Sequence, residues 1–163
     1  MSLTGVVYCD DVERGRLKIP HPIPALLFID ETGCPSLASD NAEQLLLHDR
    51  WEAQHPCPHE HFWLVERLLG SVSAIGMIRE MVQRVSRDPS LEYPVLWSKV
   101  IYDGSHSGDF LKTEEVVQLK NELDRLRRVR DVSRQDEAEL NSFLSTLEEL
   151  ILASLGVNKP ISF

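Results

Sequence analysis

The chain predicts a single α+β domain spanning residues 1–163: an antiparallel or mixed sheet covered by one long amphipathic helix, with a C-terminal helical pair. Three observations carry this. Strand-like segments crowd residues 1–33, apolar residues recur at intervals of three and four from 58 to 86, and two further helical stripes occupy 113–155.

Gly5-Val6-Val7-Tyr8-Cys9 is β-branched and aromatic and stops at Asp10-Asp11, so the first strand is expected over Leu3 to Cys9. Leu17-Lys18-Ile19 reads as a short returning strand before Pro20, Pro22 and Pro24. Ala25 to Ile29 is a further strand, closed by the turn Asp30-Glu31-Thr32-Gly33. Ser39 or Asp40 can cap a helix from Asn41 to about Glu52; the competing reading is a strand over Gln44 to His48. From Pro58, the residues Phe62, Val65, Leu68, Leu69, Val72, Ile75, Ile78, Val82 and Val85 form one stripe, which predicts a helix to about Ser86. Tyr93 to Tyr102 is apolar and β-branched and predicts a buried strand over 93–102. Val116, Leu119, Leu123 and Leu126 mark the next helix, with Glu122 on its outer side. A last helix, capped by Ser133 and closed by Gly156, turns Leu140, Phe143, Leu144, Leu147, Leu150 and Ile151 inward, and Val157 to Phe163 trails as an extended tail.

Composition narrows function. With 17 basic against 26 acidic residues the formal charge is -9, which opposes attraction to nucleic acid or anionic lipid. Another protein, presenting a basic surface, is the expected partner; neither nucleic acid nor membrane is. Cys9, Cys34 and Cys57 form neither a disulfide framework nor a CxxC pair, and no signal segment opens the chain, so a cytoplasmic location is expected.

Two stretches hold chemically capable residues. His55-Pro56-Cys57-Pro58-His59-Glu60-His61 places three imidazoles and a thiol within seven residues. Zinc would need three or four of His55, Cys57, His59 and His61 to converge, but the spacing matches neither a zinc finger nor HExxH, and a helix opening at Pro58 would spread the histidines over different faces. No cofactor is the expectation, with zinc the alternative. The loop Asp103-Gly104-Ser105-His106-Ser107-Gly108-Asp109 has the residue types of a triad, but neighbours in sequence seldom point at one another and no GxSxG elbow is present. Asp103, Ser105, His106, Ser107 and Asp109 therefore read as a binding loop, and no catalytic residue is assigned.

From the strand into His106-Ser107-Gly108-Asp109-Phe110-Leu111 and the helix Glu114 to Leu123, the order resembles small bacterial proteins, some of them classed as immunity proteins of polymorphic toxin systems. The resemblance covers roughly residues 93–126 and implies a non-enzymatic protein that binds and neutralises a toxin. Binding or regulation by protein contact is thus the leading expectation. The rivals are a hydrolase or metal-dependent enzyme using His106 or the His55–His61 cluster, and a homodimeric module built on Thr113 to Leu155.

Overall fold

The computed structural model describes residues 2–103, 106, 108–129 and 134–163. Strand β1 (Ser2–Tyr8) buries Leu3 and Val7 on one face, the period-two pattern that its sequence carries. It pairs antiparallel with β4 (Trp63–Ser71), setting Val7 opposite Val65 and Gly5 opposite Arg67. Leu3 then pairs with Gly70 while Thr4 pairs with Leu68, so Leu69 is an inserted bulge residue and turns into the core. Two short strands, β5 (Phe110–Leu111) and β6 (Ile161–Ser162), complete the antiparallel order β4-β1-β6-β5. A separate hairpin joins β2 (Leu27–Ile29) to β3 (Pro35–Leu37).

Helix α1 (Ala42–Glu52) is capped by Asn41, whose side chain accepts from the Glu43 and Gln44 N–H groups, so the helix prevails over the competing strand. Helices α2 (Val72–Val85), α4 (Thr113–Leu126) and α5 (Arg134–Val157) enclose the main core with the sheet. Leu119, Leu123 and Leu126 of α4 are buried, as are Leu140, Leu144, Leu147 and Leu150 of α5. The helical pair therefore packs within the chain. A Cβ on Gly5 would lie 2.5 Å from Leu150 Cδ1, so glycine lets α5 approach the sheet closely. Among the described residues α5 is the one helix long and apolar enough to cross a membrane, yet Phe143, Leu144, Leu147 and Leu150 are buried in this core.

Three expectations are corrected. Residues 58–86 are not one helix: strand β4 precedes α2, and Ser71 caps α2 by accepting from the Ala74 N–H. The stripe arose because Phe62 and the strand residues 65, 68 and 69 fall by coincidence at helical intervals upstream of a true amphipathic helix. The long cover of the sheet is instead α5. Second, 93–102 holds no strand, and residues 94–100 are helical. A short helix α3 (Pro89–Glu92) is capped by Asp88, and a wide turn, Leu96–Val100, follows it. The carboxylate of Glu122 accepts from the Val95 and Leu96 N–H groups at 3.2 and 2.8 Å, supplying the acceptors that a strand ladder would have supplied. Glu122, expected outside, is fully buried. Third, Leu17-Lys18-Ile19 forms no strand: the Lys18 N–H donates to Pro56 O at 2.7 Å, and Trp51 Nε1 donates to Ile19 O at 2.9 Å.

The C-terminal stop also differs in detail. Asn158, at φ 54, takes the left-handed position expected at Gly156, and the Lys159 N–H reaches back to Ser154 O at 3.1 Å. Ser133 lies outside the described residues.

Candidate metal centre and the cleft beside it

The main core leaves out a second, smaller cluster: Cys9, Trp51, Cys57 and Phe62, with Tyr8, Leu17, Ile19 and Leu64 packed around it. It forms where the chain leaves β1 and where the loop from His55 enters β4. The Cys9 N–H donates to Phe62 O at 2.8 Å, extending the β1–β4 ladder one step and bringing the two segments side by side.

Four potential ligands meet there. The ligand atoms of Cys9, Asp11, Cys57 and His59 all lie within 4.8 Å of one another. Cys57 Sγ is 3.4 Å from Cys9 Sγ, 3.1 Å from Asp11 Oδ2 and 3.4 Å from His59 Nδ1, and His59 Nδ1 is 2.9 Å from Asp11 Oδ2. A tetrahedral zinc with bonds of about 2.0–2.3 Å spans ligand–ligand edges of about 3.3–3.8 Å. The four separations between neighbouring donors, 2.9 to 3.4 Å, lie within about half an ångström of those edges.

The surroundings suit a cation. Arg16 Nε holds Asp11 Oδ1 at 2.7 Å, leaving Oδ2 turned to the cluster, and Arg16 also reaches Asp10 Oδ1 at 2.5 Å. The His59 N–H points at Cys57 Sγ at 3.4 Å, a bond that stabilises a thiolate. Burial works against the charge on Asp11, but hydrogen bonds from Cys57, Cys9 and His59, together with Arg16, outweigh it and hold the carboxyl below its usual range. Burial pushes both thiols, Cys9 and Cys57, upward, so at neutral pH they are protonated until a metal displaces the protons. Two thiolates and the carboxylate carry three negative charges, which a divalent ion and Arg16 together neutralise.

The sequence reading found half of this set. Cys57 and His59 belong to it, whereas His55 and His61 do not. Both of those residues sit at φ near 50 and are exposed. Cys9 and Asp11 were missed because they lie about 48 residues upstream; the available signal was the Cys-x-Asp and Cys-x-His pairing of two alternate-residue ligand pairs.

Cys57 and His59 also line a cleft of about 490 Å3, together with Tyr8, Cys34, Asp49, Glu52, His55, His61 and Trp63. Tyr8 and Trp63 are cross-strand partners, and burial, aided by Cys34, raises the Tyr8 phenol to about 12, keeping it neutral.

The His106 loop is built differently. His106 Nε2 donates to Val100 O at 2.9 Å, its ring stacks on Tyr102 and meets Phe163 edge-on, and its side chain is 1% exposed. Its Nδ1 is 3.7 Å from Asp109 Oδ2, beyond hydrogen-bond reach, and that oxygen accepts from Tyr102 OH at 2.5 Å. The imidazole braces the segment after Val100. Asp103 and Asp109 are exposed, while Ser105 and Ser107 lie outside the described residues.

Comparison with known protein families, characterised proteins and solved structures finds no match to this chain.

Proposed function

We propose that this protein is a zinc-stapled interaction module, in which Cys9, Asp11, Cys57 and His59 hold a metal and the cleft beside them receives a partner. The observation that carries the reading is the convergence of four donors from two segments on one buried point, with Arg16 and the His59 N–H in supporting positions. Four protein ligands fill a tetrahedral shell and leave no place for a reacting water, which favours a structural role over hydrolysis. A second core of only four buried residues is where such a staple adds most. The metal then fixes the 55–62 loop as one wall of the cleft. Reduced thiols are required, in keeping with a cytoplasmic protein. Neutralisation of a toxin is the narrower form of this proposal, and the sequence resemblance is its support.

Elemental analysis of protein purified without a histidine tag or chelator tests the metal. About one zinc per chain is expected, lost in Cys57→Ser and in Cys9→Ser. Zinc-free wild-type protein that takes up none on titration, or full occupancy in both variants, refutes the reading.

A further inference from the structure

We propose that the cleft binds a basic polypeptide segment, seating an arginine side chain between the carboxylates of Asp49 and Glu52 and the aromatic wall of Tyr8 and Trp63. This rests on the interaction-module reading and names the chemistry of its partner.

The lining contains two carboxylates and no lysine or arginine. The cation whose charge reaches Cys34 is Lys159, and it is committed to Glu13 and to the Gly33 carbonyl. Asp49 and Glu52 lie three residues apart on α1 and project from the same side. Glu52 also has a buried imidazole pair as its neighbour. The Ile23 N–H donates to His21 Nδ1 at 3.1 Å, which fixes the proton of that ring on Nε2. His21 Nε2 therefore donates to His48 Nδ1 at 3.0 Å, and the remaining proton of His48, on Nε2, faces Glu52 Oε1 at 3.6 Å. A buried pair of hydrogen-bonded imidazoles thus stands beside a carboxylate at the cleft, at ion-pair distance and beyond hydrogen-bond reach. A planar guanidinium can pair with carboxylates while its face lies on an aromatic ring.

The same helix argues for a polypeptide and not a free amine. Leu45, Leu46 and Leu47 are 40%, 48% and 38% exposed, three consecutive leucines on the surface, and Leu45 lies one helical turn before Asp49. Exposed leucines one helical turn from Asp49, beside an acidic cleft, are complementary to a segment alternating leucine-like and basic side chains.

The test titrates zinc-loaded protein with acetyl-Leu-Arg-Leu-amide, following backbone amide signals by two-dimensional NMR, with zinc content measured on the same samples. The uncharged isostere acetyl-Leu-citrulline-Leu-amide and n-butylguanidinium serve as comparison ligands. The arginine peptide is expected to shift signals of 45–63 and to bind at least about tenfold more tightly than either comparison. Asp49→Asn/Glu52→Gln should weaken it about tenfold, while Glu80→Gln/Glu114→Gln, an equal change of charge elsewhere, should change it less than about twofold. Equal binding of the citrulline peptide, equal loss in the distant variant, or equal binding of n-butylguanidinium overturns the inference. One zinc per chain with no shift at about 10 mM peptide overturns it alone. Absence of zinc overturns the module reading and this inference with it.

Discussion

Cys9 Sγ and Cys57 Sγ lie 3.4 Å apart, although 48 residues separate them in the chain. Unbound thiols gain little from such closeness, since both are driven toward their neutral form by burial, whereas a shared cation gains from each. Zinc should therefore protect both from alkylation, and a chelator should expose them. With free zinc at about 1,000 times Kd, linkage adds about 4 kcal/mol to folding stability, read as a higher urea midpoint. Equal midpoints with and without zinc would contradict this.

Arg16 offers a finer test. It touches Asp11 through the oxygen that does not face the cluster, so it orients a ligand without being one. Arg16→Ala should keep the stoichiometry but weaken zinc about 10–100-fold in competition with a chromophoric chelator. Arg16→Lys, which preserves charge but loses the second contact to Asp10, should fall between. Loss of stoichiometry in the alanine variant, or no change of affinity, would refute an orienting role.

The parts of the fold legible in the sequence are those whose pattern reflects contacts made within one element. β1, α4 and α5 were read near their observed limits because alternation or helical spacing there follows real burial, whereas α1 was placed by the capping residues before it, its leucines being exposed. Residues 63–71 were not, since strand identity came from pairing with β1, a partner no window of the sequence contains. Tyr93 to Tyr102 failed for a related reason: β-branched and aromatic residues suit a buried strand, yet the backbone donors at Val95 and Leu96 found a carboxylate some 27 residues away. Of the metal centre, the downstream Cys57 and His59 were visible as a dense cluster. The upstream Cys9 and Asp11 read as the end of the first strand and its stop, and the β1–β4 ladder joins the two pairs.

Glu122 gives a stability prediction independent of metal. Its two carboxylate oxygens accept from Val95 N, Leu96 N and Gln118 Nε2 in a fully buried site. Truncation strands two buried backbone donors, so Glu122→Ala should cost about 3 kcal/mol in urea unfolding. Glu122→Gln keeps one acceptor and should cost less. Zinc content should be unchanged in both, because the residue belongs to the main core. An alanine variant within about 0.5 kcal/mol of wild type would show that the helical segment 89–100 is held by other contacts.

Asp30 contributes to the acid limb, as Asp11 does. Burial disfavours its charge, but hydrogen bonds from the Thr32 hydroxyl, the Ser36 hydroxyl and the Cys34 and Thr32 N–H groups outweigh it and lower its pKa. Folding thus favours the ionised form. The stabilisation is complete above the ordinary Asp value of about 3.9 and is lost as pH falls through the lower folded value. At pH 7, Asp30→Asn should be about 1–2 kcal/mol less stable than wild type, and the gap should close as pH falls below about 4. Urea midpoints measured from pH 7 to pH 3 decide this. The hairpin that Asp30 closes presents the Gly33 carbonyl to Lys159, so weakening the turn should also loosen the C-terminal tail, seen as faster amide exchange at Ile161 and Phe163. A gap that widens toward low pH would reverse the sign of the argument and exclude Asp30 as its source.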